Sequence, residues 1–120
     1  MIGSRSRYRA MEETDRLLAT WPDHELHIVA ADNEGASEAD VVVVATPWDA
    51  AASTVASVSK QLRGKVVISM ANALAKVGHE FQPLVPPRGP VAASVQAALP
   101  DSRVSAASHH APATELGHLR

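Results

Sequence analysis

Hydrophobic and polar positions along the chain give two kinds of pattern, and the plainest is the run Val41 to Val44. Four β-branched residues stand in a row with no polar alternation. Such a run predicts a strand buried on both faces, as in a parallel sheet covered by helices. It stops at Ala45-Thr46-Pro47. Thr46 can cap a following helix, Pro47 suits its first position, and Asp49 supplies the acidic half of a capping box. Ligands of open α/β sheets bind beyond the carboxyl ends of strands, so Thr46, Pro47 and Trp48 occupy candidate ligand positions. The same pattern equally suits a buried strand followed by a well-capped helix with no ligand.

Elsewhere the apolar spacing switches between helical and extended periods. Tyr8, Met11 and Leu18 with Thr14 between them predict a helix from about Ser6 to Thr20, whose Arg and Glu residues alternate on a solvated face. Pro22 ends it. Leu26 to Ala30 predicts a short strand, Asp32 to Gly35 a turn, and Ala36 to Ala39 a single helical turn. Ala51, Val55, Val58 and Leu62 predict one amphipathic helix over Asp49 to Leu62, with Gly64 as a left-handed cap. Val66 to Met70 is a second buried strand. Ala71 to Arg88, rich in proline and glycine, reads as a long ordered loop of the kind that usually carries function. A helix over Gly89 to Leu99 and a strand over Arg103 to Ala107 follow, and the polar end from Ser108 reads as loop with a helical turn. Strands separated by crossover helices predict an α/β fold: a Rossmann-like, doubly wound, mostly parallel sheet in one domain.

Composition narrows the classes. Hydrophobic residues make up 46% and charged residues 20%, as in globular proteins, and 120 residues leave room for one domain. With only 3% aromatic residues, Ala, Val and Leu must fill the core. A net charge of -2 argues against a nucleic-acid partner. The absence of cysteine excludes disulfides, thiolate metal sites and a cysteine nucleophile. No apolar run approaches the ~20 residues of a membrane span. A cytoplasmic protein with no membrane partner is the expectation.

Three clusters carry candidate chemistry. Gly3-Ser4-Arg5 places a hydroxyl and the guanidinium groups of Arg5, Arg7 and Arg9 at a strand end entering a helix, with no acidic residue at that corner. Helix-start N–H groups and forked Arg donors suit phosphate oxygens, and in dinucleotide folds an Arg there accommodates the 2′-phosphate of NADP. The alternative is a solvated basic helix start. Asn72 directly follows a buried strand, where it can hydrogen-bond a ligand or serve as an ordinary turn residue. His109 and His110, if on a strand, point to opposite faces, and without accompanying ligand spacing a metal site is not expected. One of the two can line a pocket at the end of the last strand. Trp48 can stack on a planar ring or pack in the core.

Read together, IGSRS near the start, ADVVVVATPWDAA, GKVVISMANAL, GHEFQPLVPPRG and SAASHHAPATELG resemble the NADPH-dependent reductases of coenzyme F420, also called F420-dependent NADP oxidoreductases. The resemblance covers essentially the whole chain. It implies a Rossmann domain, NADP and coenzyme F420 as cofactors, and direct hydride transfer between the nicotinamide and the 5-deazaflavin ring. Position by position, it implies that Ser4 and Arg5 grip the 2′-phosphate with Arg9 as a third contact. Thr46, Pro47 and Trp48 would lie beside the ribose and nicotinamide. Met70, Ala71, Asn72 and Ala73, with His109 and His110, would wall the deazaflavin pocket. No side chain is expected to act as a catalytic acid, base or nucleophile, because orientation of two rings is the protein's task.

The sequence also departs from the family pattern. Family members begin with a strand, a Gly-rich turn and a helix, continue into a C-terminal helical region, and carry an aromatic where this chain has Ser108. No G-x-G-x-x-G is present. The chain is therefore expected to be a partial NADP-binding domain, an internal portion of such an enzyme that alone binds NADP weakly or not at all. The family further implies a homodimer in full-length form. Two other readings stand beside the reductase: a non-catalytic Rossmann fragment that serves as an interaction module through its valine-rich edges, and an NADPH-dependent reductase of another acceptor.

Overall fold

The computed structural model describes residues 1–111, and within them strands and helices alternate as the pattern predicts. Strand β1 (Ile2–Ser4) leads into α1 (Arg7–Thr20), which ends at Trp21 ahead of Pro22. Strand β2 (Ala30–Asp32) then pairs with β1 in parallel, Ile2 opposite Ala30 and Ser4 opposite Asp32. It lies later than the expected Leu26 to Ala30. Register with the three-residue β1 selects its position, not the local apolar run. The expected turn at Asp32 is instead the start of α2 (Asn33–Ala36): the Asp32 carboxylate accepts the Gly35 N–H at 2.7 Å, an N-cap bond. Gly3 lies under this helix. A Cβ built on it would stand 2.5 Å from the Ala36 Cβ, so the close approach of β1 and α2 requires glycine.

The valine run is β3 (Val41–Val44). It pairs in parallel with β4 (Val66–Ser69), which pairs in parallel with β7 (Arg103–Ala106), giving the order β3-β4-β7. The expectation that β3 is buried on both faces is corrected. Val44 is buried and Val42 packs against the core, but Val41 and Val43, which alternate to the other face of the strand, are about half exposed. Between β3 and β4 the predicted single helix is two: α3 (Trp48–Ser57) and α4 (Ser59–Leu62), broken at Val58, whose φ of -122° is not helical. Gly64 caps the end with φ 75°, as expected.

The predicted loop after β4 is largely an antiparallel hairpin, β5 (Leu74–Val77) and β6 (Glu80–Pro83), and so corrects that expectation. Gly78, with φ 62°, takes the first position of its two-residue turn, where glycine is favoured. Helix α5 (Val91–Ala98) follows and precedes β7. The main hydrophobic core lies between α3, α4, α5 and β4, with Ala51, Val55, Leu62, Val67, Val95 and Leu99 essentially sealed from solvent. Ser102 donates its hydroxyl to the Leu62 carbonyl at 2.7 Å, and the same carbonyl accepts the Lys65 N–H at 3.0 Å, so the end of α4 is tied to both following segments. No helix among the described residues is long and apolar enough to cross a membrane.

Candidate functional site

Two concavities hold five of the twelve sequence-selected residues, Thr46 in one and Ala71, Asn72, Ala73 and His109 in the other; Ser4, Arg5, Arg9, Pro47, Trp48, Met70 and His110 line neither. The first is a cleft of about 410 Å³ between β1 and β3. Met1, Ile2 and Gly3 form one wall and Val41 to Thr46 the other, with Asn33, Ala36 and Ser37 at one side and Val55, Val58 and Leu62 at the other. Gly3 and Thr46 thus face a shared crevice from the two strand ends. Ser4 stands at the end of β1, and its Oγ lies 3.4 Å from the Ser6 N–H. Arg5 and Arg9 are exposed just beyond it, and none of the ion pairs among the described residues uses Arg5, Arg7 or Arg9. Without an ion pair among the described residues, these guanidinium groups leave their donors open to an anion.

The structure adds an acidic group to that corner. Asp32 is the register partner of Ser4, correcting the expectation of a corner with no acid. Its Oδ1 is committed to capping α2. No local sequence signal could have brought Asp32 to Ser4, because only strand pairing does so.

At the other corner the cap differs from expectation. Helix α3 starts at Trp48, and Pro47, with φ -50° and ψ 145°, is its N-cap. Pro47 has no side-chain acceptor, so α3 begins without a side-chain cap bond. The Thr46 hydroxyl, one residue too early to cap, is buried with no hydrogen-bond partner among the described residues. A buried, unpartnered hydroxyl costs stability, which makes it a feature of interest at a strand end. Trp48 is half buried and packs against the core cluster, so the packing alternative for its ring is realised.

The second concavity, about 390 Å³, lies at the ends of β4 and β7 under the β5–β6 hairpin. Ala71, Asn72 and Ala73 line it, as do His109, Leu84, Val85 and the start of α5. Met70 and His110 are adjacent in sequence but do not line it. The Met70 N–H is instead tied to the Val44 carbonyl at 3.1 Å, extending the β3–β4 ladder. The two histidines sit in a turn after β7, not on a strand, with rings edge to face 5.3 Å apart. Ser108 before them has φ 59°, a left-handed conformation unusual for a residue with a Cβ. Asn72 donates its side-chain N–H to the His109 carbonyl at 2.7 Å, so it ties this turn to the end of β4. Among the described residues no group of three or more His, Asp or Glu side chains could hold a metal. The stretch PATELG of the last motif lies outside the described residues.

Comparison with known proteins decides the family. The family model for coenzyme F420-dependent NADP oxidoreductases matches residues 2–73, more than half of the chain and every residue of the cleft between β1 and β3 except Met1. The chain belongs to this family. It is also similar to an F420-dependent NADP reductase of Methanocaldococcus jannaschii, 33% identical over 112 residues that make up 89% of this chain and 50% of the relative. A crystal structure from Arthrobacter sp. FB24, described as a candidate F420-dependent NADP-reductase, superposes with a TM-score of 0.72. That match covers 94% of this chain and 53% of the other at 22% identity, so it speaks to the fold. The chain spans about half the length of the relatives it matches. The α/β, mostly parallel, Rossmann-like architecture read from the strand-helix alternation agrees with that fold.

Proposed function

We propose that this chain is a partial NADP-binding domain of an oxidoreductase that moves a hydride between NADP(H) and coenzyme F420. The observation that carries the reading is the convergence of Gly3 and Thr46 on one cleft within the stretch matched by the family model. Arg5, Arg7 and Arg9, exposed just after β1 and without an ion pair among the described residues, suit a 2′-phosphate, with Ser4 at the end of that strand. The unpartnered Thr46 hydroxyl, with Pro47 and Trp48, suits the ribose and nicotinamide end. The residues present therefore fit the two ends of the nucleotide. No Gly-rich turn in this sequence supplies backbone N–H groups for the pyrophosphate between them, so the chain alone is expected to bind NADP weakly.

The second concavity, with Ala71, Asn72, Ala73 and His109 on its walls and Met70 and His110 at its edge, is assigned to the deazaflavin. When bound, the two cofactors supply the hydride chemistry. The protein binds, orients and excludes water, which is what close alignment of two rings demands. Asn72 holds the His109 turn against β4 and so fixes one wall of that pocket.

The test is a nuclear magnetic resonance titration of the 120-residue chain with NADP and with NAD. Weak binding, with shifts at Ser4, Arg5, Arg9 and Thr46 to Trp48 that are larger for NADP, is the expected result. Arg5→Ala should erase the preference for NADP over NAD. Shifts confined to other surfaces would sink the site assignment. Micromolar NADP affinity by calorimetry would sink the expectation of weak binding.

A further inference from the structure

The β5–β6 hairpin stands apart from both parallel half-sheets. Neither of its strands pairs with them, and one backbone hydrogen bond, from the Leu84 N–H to the Ala73 carbonyl at 2.8 Å, closes its base. None of the ion pairs among the described residues uses Lys76, Glu80 or Arg88. Segments held by so few contacts open at low free energy. Behind the hairpin the chain turns through residues 86–89 into α5. The Gly89 N–H donates to the Pro86 carbonyl at 2.8 Å, and Gly89 has φ 77°, which glycine adopts without strain.

One face of the hairpin belongs to the second concavity. Leu74 and Pro83 are register partners, and both line it. Side chains alternate between faces along a strand, so Lys76 and Phe81, the partners two residues nearer the tip, share that face. Phe81 does not line the concavity and stands 67% exposed, although it is the chain's only phenylalanine and aromatic residues are scarce. Val85, on the concavity wall, is 89% exposed. Large apolar side chains left in solvent beside a cavity mark a binding surface.

We propose that the β5–β6 hairpin is a lid, which swings on Ala73 and the turn 86–89 and closes over a planar ring in the second concavity, laying Phe81 across its mouth. The identity of the ring rests on the deazaflavin reading, whereas the motion rests on the hairpin's own contacts. Closure buries Phe81 and Val85 against the ring, where an offset aromatic stack is favourable, and expels water from around it. The side chains that are exposed in the open hairpin are therefore the ones that bind in the closed one.

The chain has no cysteine, so pairs of introduced cysteines can carry spin labels for distance measurement by pulsed electron resonance. His79→Cys with Ser105→Cys joins the hairpin tip to β7, and Lys60→Cys with Ser105→Cys joins two points of the packed body. Without ligand, the tip pair should give a broad distance distribution and the body pair a narrow one. With 5-deazariboflavin as probe, the tip pair should narrow to its shorter component and the body pair should not move. Phe81→Ser should weaken binding of the probe by about tenfold while the unfolding midpoint of the free chain holds, and Phe81→Tyr should restore the affinity. A tip pair as narrow as the body pair in the free chain overturns the proposal. So does probe binding that leaves the tip distances unchanged, or Phe81→Ser binding as tightly as the parent. A broad tip pair with no probe bound at about 1 mM supports the hinge and sinks the deazaflavin assignment instead.

Discussion

The two parallel half-sheets are built from the same kind of unit, strand-helix-strand, yet they are packed very differently. Around β3, β4 and β7, helices α3 and α5 lie against each other and against the sheet, and nearly every core residue comes from there. Around β1 and β2, α1 buries only Ala10 and Thr14, while Tyr8 and Met11 stand 69% and 50% exposed. Burial of apolar area is the main favourable term in folding, so stability is concentrated in the first of these halves. The other half holds its shape by a few specific contacts: the Asp32 cap, the Gly3–Ala36 approach, and the bonds that Gln61 donates to the Glu34 carboxylate and Lys65 to the Ser37 carbonyl. The candidate nucleotide cleft lies on the seam between a rigid half and a lightly held one. Lightly held elements open at low free energy, and binding sites are often drawn from them.

The sharpest way to break this comparison is to hollow out each half in turn. Leu62→Ala or Leu99→Ala removes a side chain that is 1% exposed in the packed half. Each should cost about 2–5 kcal/mol, read as a lower urea midpoint with unchanged slope. A cost near that of a surface change would mean the core is elsewhere. Gly3→Ala comes next. Its new Cβ would meet the Ala36 Cβ at 2.5 Å, forcing β1 and α2 apart at about 1–3 kcal/mol. If the halves are distinct, exchange at β1 and β2 amides should speed up more than exchange at β4 and β7. Equal acceleration everywhere would show one cooperative unit. Asp32→Ala, which deletes the acceptor of the Gly35 N–H, should cost about 1 kcal/mol by the same denaturation, with Asp32→Asn retaining most of the cap.

The contrast between the halves also explains what the sequence could reveal. Where side chains are buried, their spacing is dictated by the face they cover, and β4 and α5 were legible to within a residue or two; α1 and β7 were placed as closely, but the Tyr8, Met11 and Leu18 that suggested α1 are exposed, so they are not the face it buries. The Asp49 to Leu62 stripe was right in its faces but hid the break at Val58, because a kinked pair of helices and a straight one share apolar positions. Strand β2 was displaced because Leu26 to Val29 looks more strand-like than Ala30–Asp32, and only pairing with β1 decides between them. The hairpin was hidden since β6 buries nothing, although Gly78-His79 between two short runs was a usable turn signal. Of the site, the strand-end rule brought Gly3 and Thr46 to one cleft. The Asn72–His109 tie joins positions 37 apart, and the Ser4–Asp32 register is equally non-local, so neither has a local signature.

The smallest expected effect is the most discriminating in sign. Met11 projects from the middle of α1 and is half exposed, in the half that buries little. Replacing it with alanine removes apolar contacts that are mostly with solvent already, so little transfer free energy is lost. Alanine is the better helix former by a few tenths of a kcal/mol, and α1 is a 14-residue helix with no side-chain N-cap bond, so local propensity counts there. Met11→Ala should therefore leave stability within about 0.5 kcal/mol of the parent, on the stabilising side. The same large-to-small exchange at Leu62 is expected to be strongly destabilising. A thermal melt of Met11→Ala that fell as far as that of Leu62→Ala would place a second core under α1 and erase the difference between the halves.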